Sequence, residues 1–392
     1  MKQSQPALIM PPNDQSQMVV IGQIANHIAA NHVFVDYHNR RASNTIRNHA
    51  AALVQFARYL AAAGMTELLP DALVWSQQSS LLEANKLGIV INHPDKHPDS
   101  NLQKARAKLC GLYLQNEPSA WCGVTWGLIR DFVRWLLKQG YSVSTVNNRL
   151  TTVKIYAKLA TEAGAIDLSE YQHIQAVRGC GRAKTKRGNK RRDVVRVSTK
   201  KDSPVSLSTE DAQTLKHSHD SISPQGARDR LLMCLLLDHG FRISEVAGLT
   251  VGNLDIAQRK IRFYRQKVDK RQTHKMTRAT IDAARTYMAL HPLGHDKDAP
   301  LLVRSTKNGR LTKQGVKVRG LRKRVNHLGR ELLGLPNLSP HDCRHYWATD
   351  AAKNGTDPFQ LQEAGGWASL DMPRYYIEDA EIANIGIKLS DA

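Results

Sequence analysis

The sequence predicts a mainly α chain in two helical domains, the second carrying a small β-sheet. Three observations predict it. Apolar residues recur at helical spacing behind cap residues through most of the chain. Two short stretches, 259–266 and 273–280, alternate instead. A dense basic block separates the helical stretches into two groups. At 392 residues there is chain enough for two cores, and a hydrophobic fraction of 41% describes folded protein rather than disorder.

Residues 1–14 are polar and punctuated by proline, which predicts a loose arm. A helix is expected over 18–30. Ser43-Asn44-Thr45 then caps a second, in which Ile46, Ala50, Leu53, Phe56, Ala57 and Leu60 share a face. Residues 66–105 show no clear period and carry turn signals at Asn92-His93-Pro94-Asp95 and His97-Pro98-Asp99, with a helix expected again over 102–114. The stretch 124–138 puts Leu128, Ile129, Phe132, Trp135 and Leu136 on one stripe and stops at Gly140. Ser142 to Thr145 caps the next helix, whose Val146, Leu150, Val153, Tyr156 and Leu159 run toward Gly164. One helical domain over 15–175 accounts for these elements.

The block 178–201 holds Arg178, Arg182, Lys184, Lys186, Arg187, Lys190, Arg191, Arg192, Arg196, Lys200 and Lys201 against the single acid Asp193. Like charges this dense resist compaction, so residues 176–204 are expected to be an extended linker. A solvated tether and a strap along phosphates are both open, and self-repulsion favours the strap.

The second domain, 205–392, opens at the capping segment Leu207-Ser208-Thr209-Glu210-Asp211. A strongly apolar helix follows over 229–238, stopped by Gly240-Phe241, and Arg242 stands where a short helix through Ile243, Val246 and Leu249 begins. The two alternating stretches flank the basic turn Lys267-Val268-Asp269-Lys270-Arg271. Further helices are expected over 281–290, 312–333, 340–354, 358–364 and 373–385.

Charge narrows the partners. Lys and Arg number 56 against 35 Asp and Glu, a formal charge of +21, which suits a polyanion and nucleic acid above all. No apolar run looks long enough to span a bilayer and no secretory signal is recognised, so no membrane partner is expected and a cytoplasmic site is. The five cysteines lack a CxxC pair, and the sixteen histidines form neither HExxH nor a Cys/His spacing. No cofactor and no metal are expected. His27, His32, His38 and His49 read as ordinary helix residues.

Ser339-Pro340-His341-Asp342-Cys343-Arg344-His345 carries the chemistry. Ser339 suits an N-cap, Pro340 the first helical position and Asp342 an acidic capping box, so His341 and Arg344 share a face near the helix start. Exposed N–H groups there attract phosphate. An HxxR alone is a weak motif, as are a tryptophan after the Gly365-Gly366 stop and a tyrosine in Tyr375-Tyr376.

Together, Arg242 in GFRISEVAGLT, Lys267 in its basic turn, His341 and Arg344 in LSPHDCRHYWATDAAKNG, Gly365-Gly366-Trp367 and Tyr375-Tyr376-Ile377 closely resemble the tyrosine recombinase (phage integrase) family over about 205–385. STVNNRLTTVKIYAKLA resembles its core-DNA-binding domain more loosely. The resemblance implies a helical core-DNA-binding domain followed by a mostly α catalytic domain with a small sheet. It implies cleavage by a tyrosine hydroxyl, leaving a 3′-phosphotyrosyl link and a free 5′-hydroxyl, with a homotetramer acting on two specific duplex sites. Carried onto this chain, Tyr376 is the nucleophile, with Tyr375 its rival. Arg242 and Arg344 hold the non-bridging oxygens, and Lys267 is the general acid with Lys270 its rival. His341 does the proton work. Most relatives resemble one another in having histidine where Trp367 stands; tryptophan marks a minority that includes the Cre-like recombinases. Indole cannot accept a proton, so Trp367 can brace or pack but cannot be a base. Glu245 either orients its neighbours or makes a surface salt bridge.

Three rivals stand beside this. A type IB topoisomerase would share the chemistry, a non-catalytic DNA-binding protein would share the charge, and His341-Asp342 also spells the HD dipeptide of metal-dependent phosphohydrolases.

Overall fold

A computed structural model describes residues 17–65, 67–92, 99–181, 204–217, 223–266 and 268–378. The expected arm over 1–14, Lys267 and the linker cations Arg182, Lys184, Lys186, Arg187, Lys190, Arg191 and Arg192 lie outside the described residues, while Arg178 is exposed. The chain divides into two compact units, Met1–Lys200 and Lys201–Ala392.

The first unit is all helix among the described residues: α1 (Gln17–Asn39), α2 (Ser43–Ala62), α3 (Leu68–Gln78), α4 (Leu82–Asn92), α5 (Asp99–Asn116), α6 (Trp126–Lys138), α7 (Val143–Glu162) and α8 (Leu168–Ala176). Its core gathers the stripes expected from the sequence: Leu53, Phe56 and Leu60 from α2, Ile129, Phe132 and Leu136 from α6, and Val146, Val153 and Tyr156 from α7. The stretch 66–105, which shows no period, contains α3, α4 and the start of α5, helices whose buried faces are small residues such as Ala72, Ala84 and Gly88. Such faces give little contrast to a hydrophobic period.

Two expectations are corrected here. Helix α1 continues nine residues past Ala30 and, with a mean hydropathy of 1.3 over an 18-residue window, is by length and composition long and apolar enough to cross a membrane. Gln23, Asn26, His27 and Asn31 interrupt its apolar run; what raises its hydropathy is the near absence of charge. Among its histidines, His38 is no bystander: its Nε2 lies 3.0 Å from the Tyr156 hydroxyl, and Tyr37 stacks on the buried His49.

The second unit holds α9 (Thr209–His217), α10 (Pro224–Leu237), α11 (Ile243–Ala247), α12 (Arg278–Leu290), α13 (Val318–Leu333), α14 (Pro340–Lys353), α15 (Pro358–Gly365) and α16 (Asp371–Glu378). Helix α10 is buried nearly all round, Leu231 through Leu236 having no exposed surface, and forms the axis of this core. An antiparallel three-stranded sheet runs β1 (Leu254–Asp255), β2 (Lys260–Arg265), β3 (Lys270–Lys275), with Phe263 opposite Gln272. The last of these strands lies several residues earlier than the alternation over 273–280 predicts; 276–280 turns into α12 through the Thr277 cap. A second hairpin, β4 (Val303–Ser305) with β5 (Leu311–Gly315), replaces the start of the helix expected from 312. Its strands are short and mostly polar outward, so they offer no alternation to read. Buried Asp229 anchors this side, bonding Arg228 at 2.8 Å and Arg324 at 2.6 Å.

Candidate active site

Helix α14 starts as its sequence requires. Asp342, 2% exposed, accepts from the Ser339 N–H and hydroxyl, both at 2.7 Å, and its other oxygen accepts from the Val205 N–H at 3.1 Å. With both oxygens committed to backbone and cap, Asp342 is a structural acid, which removes the HD reading. The cap sets the register that turns Arg344 inward and leaves His341 exposed on the first turn.

Arg344 is 4% exposed and donates to the carbonyls of Gly240 and Gly365. Its guanidinium lies 4.5 Å from the Trp367 ring centroid. Arg242 caps α11: its Nη1 and its backbone N–H each donate to the Glu245 carboxylate at 2.9 Å, and its Nη2 donates to the Gly366 carbonyl at 2.9 Å. Glu245, with a side chain only 7% exposed, is thus an orienting group buried in the site and not a surface pair. Apart from that of Gly240, the carbonyls these arginines grip end helix α15, where acceptors lack intrahelical donors and the dipole favours cations.

Trp367 meets Tyr376 at 5.7 Å between ring centroids, and the His345 ring stands edge-on to Tyr376 at 5.0 Å. Tyr376 is 1% exposed, whereas Tyr375 is 48% exposed. The structure therefore brings Arg242, Arg344, Trp367 and Tyr376 together, while His341 stands exposed on the first turn of α14. Lys270, the rival to Lys267, is paired with Glu363 at 2.8 Å.

Burial pushes the Tyr376 phenol above its ordinary range, and the Arg344 charge opposes the shift. Burial, then the Arg242 and Arg265 charges, push Arg344 down to about 9, with Glu245 opposing; it remains protonated at neutral pH.

Two members of the assembly escaped sequence reasoning. Arg265 reaches the same helix end from β2, donating to Ala364 and Gly365 at 2.6 Å each. It was legible as the third inward position of the strand, after Ile261 and Phe263. His345 follows Arg344 directly, and only the fold shows that it faces the tyrosine.

Residues 206–381 match the family model described as the phage integrase family. A tyrosine recombinase XerC of Rhodospirillum centenum is 36% identical over 158 residues, 40% of this chain and 44% of that protein. A XerC of Herpetosiphon aurantiacus is 24% identical over 67% of this chain and 78% of its own. Among solved structures, a XerH site-specific recombinase bound to a palindromic difH substrate aligns over 85% of this chain and 94% of its own, at 17% identity and a TM-score of 0.49. A Tn1549 transposon integrase in complex with a circular intermediate DNA aligns over 76% of this chain and 95% of its own, at 18% identity and a TM-score of 0.48.

Proposed function

Because the chain belongs to the phage integrase family, the tyrosine recombinases, we propose that it is a site-specific DNA recombinase whose nucleophile is Tyr376. The observation that carries this assignment is the stack in which the Arg344 guanidinium covers Trp367 and Trp367 meets Tyr376, with Arg242 on the next carbonyl of the same turn. A phosphate beside that stack would face two guanidinium forks and one phenol.

The Tyr376 hydroxyl oxygen attacks phosphorus, the bond to the 5′-oxygen breaks, and a 3′-phosphotyrosyl link replaces the phosphodiester. One P–O bond forms as one breaks, so attack by another 5′-hydroxyl reverses the step without ATP or metal. Arg242 and Arg344 hold the non-bridging oxygens, since each fork donates two hydrogen bonds and keeps its charge. Burial disfavours the phenolate, so the phenol proton must leave as the bond forms. His341 accepts it, the indole of Trp367 having no lone pair to offer. Lys267 protonates the departing 5′-oxygen, because Lys270 is engaged by Glu363. The partner is duplex DNA, which the net charge of +21 favours, and the working assembly is a homotetramer on two sites acting where the cell keeps its DNA. Residues 15–175 serve as the core-DNA-binding domain, residues 205–392 as the catalytic domain and 176–204 as the linker along the phosphates.

Trapping tests this. The chain incubated with DNA should form a covalent adduct that survives EDTA, disappears in Tyr376→Phe and persists in Tyr375→Phe. Sequencing the trapped DNA should return one site. Adducts lost only in Tyr375→Phe, or only with EDTA, would overturn the assignment.

A further inference from the structure

A cation occupies the last inward position of β2, where the alternation calls for an apolar residue. Ile261 and Phe263 point into the core, and Arg265 follows with no exposed side-chain surface. Its two Nη groups span the carbonyls of Ala364 and Gly365 at 2.6 Å each. Glu245 lies 3.7 Å from Nη1, the Phe263 ring centroid 5.0 Å from the guanidinium, and Nε has no hydrogen-bond partner among the described residues. The neighbouring residue is shaped to it: Gly366 has φ +59°, and a Cβ there would stand 2.7 Å from Arg265 Cδ.

Three guanidiniums thus hold one helix end: Arg265 on Ala364 and Gly365, Arg344 on Gly365, Arg242 on Gly366. Two of them are asked to do something else. An Nη group directed at a backbone carbonyl has to turn or share its hydrogens to grip a phosphate oxygen, and the carbonyl left behind is buried and costly to abandon. Arg265 faces no such conflict. It reaches the turn from the core side and is sealed from any ligand.

We propose that Arg265 is a positioning residue: it keeps the Ala364–Gly366 turn and Trp367 in place while Arg242 and Arg344 transfer hydrogen bonds from that turn to the scissile phosphate. The proposal rests on the reading of Arg242 and Arg344 as the phosphate grip. It explains why a fork is needed at a position no substrate touches. Lysine would keep the charge but, as a single point donor, would not span two carbonyls.

The test has two arms on the full-length chain. In the first, arginine Nε–H resonances are assigned by Arg→Lys substitution and followed while orthovanadate is added as the phosphate probe. The Arg242 and Arg344 resonances should move together and that of Arg265 should hold still. An Arg265 resonance that moves with the other two makes it a ligand and overturns the proposal, as does a titration that moves none. In the second arm, Arg265→Lys is assayed on the DNA trapped by the unaltered chain. Adduct formation should slow by ~10²-fold, the scale of a misplaced catalytic group, with the DNA dissociation constant within about twofold of the original. An unchanged rate, or binding lost in step with rate, overturns it. Should the unaltered chain form no adduct, the recombinase reading falls while the resonances still decide the brace; they also decide it if Arg265→Lys does not fold, the Arg265 resonance then being assigned by its nuclear Overhauser contact with the Phe263 ring 5.0 Å away.

Discussion

Two imidazoles beneath the site should make the second unit sensitive to mild acid. His239, 3% exposed, shares a hydrogen bond with the Thr280 hydroxyl at 3.1 Å and stacks on Phe241. His274 stacks on Phe241 at 5.4 Å and stands edge-on to Phe263 at 5.0 Å, with no partner for its Nε2 among the described residues. Burial, opposed only by the Asp238 charge, pushes His239 down to about 4. Burial, then the His239, Arg265 and Arg344 charges, push His274 down to about 3, with a backbone hydrogen bond at Ala364 opposing. The unfolded chain carries ordinary imidazoles with pKa ~6.5. Below that value the unfolded state binds protons the folded state refuses, so the stability these groups contribute is intact above ~6.5 and falls as pH drops toward the folded values. At pH 5 each should have cost about 2 kcal/mol, at ~1.4 kcal/mol per pH unit of separation. His274→Phe keeps the stacked ring and removes one proton site. Urea unfolding at pH 7 and pH 5 should show the unaltered protein losing about 2 kcal/mol more than this variant. His38 and His49, also shifted downward by burial, contribute equally to both proteins and cancel. Equal losses in the two proteins would refute the reasoning.

Three further outcomes follow from the geometry. Gly366→Ala forces a side chain to φ +59° against Arg265 and should cost ~1–2 kcal/mol or more, read as a lowered melting temperature; an unchanged melting curve would show that the turn is not held as described. Asp342→Ala strands the Val205 and Ser339 N–H groups in a buried site, at about 1–3 kcal/mol for each, read by denaturant midpoint; an unshifted midpoint would demote the cap. Replacing the linker cations Arg182, Lys184, Lys186, Arg187, Lys190, Arg191 and Arg192 with glutamine should flatten the salt dependence of DNA binding by a slope of roughly 0.9 for each phosphate no longer neutralised. A slope that stays the same would make the stretch a tether.

What the sequence disclosed follows from what its signals measure. Periodicity found α2 and α6 because each sets large apolar residues against polar ones, and missed α3 and α4, whose buried faces mix Leu68 and Ile91 with the small residues Ala72, Ser76, Ala84 and Gly88. The family resemblance picked out Arg242, Arg344, Trp367 and Tyr376, each weak alone but agreeing in type and order. It could not show that the two arginines point at backbone carbonyls, since that depends on α15 ending beside both. Nor could it decide whether Glu245 was buried. A glutamate three residues after an arginine looks the same on a surface as under an active site, and only the packing of β2 and α15 tells the two apart.

That placement makes Glu245 the most informative substitution in the charge balance. Arg242, Arg265 and Arg344 converge on one turn, and Glu245 is the carboxylate bonded to Arg242 at 2.9 Å and standing 3.7 Å from Arg265. Glu245→Gln keeps the shape and most of the hydrogen bonding while deleting the charge. Leaving buried cations without their partner costs roughly 3–5 kcal/mol. An anion bound by Arg242 and Arg344 restores the counter-charge, and whatever binds the folded state raises its stability by RT ln(1 + [L]/Kd). Glu245→Gln should therefore melt well below the unaltered chain in chloride and recover more than it does on addition of sulfate at matched ionic strength. The unaltered chain, already part-neutralised, gains less. Sulfate stabilising both proteins equally would mean that Arg242 and Arg344 do not form an anion site, and the phosphate grip assigned to them would fall with it.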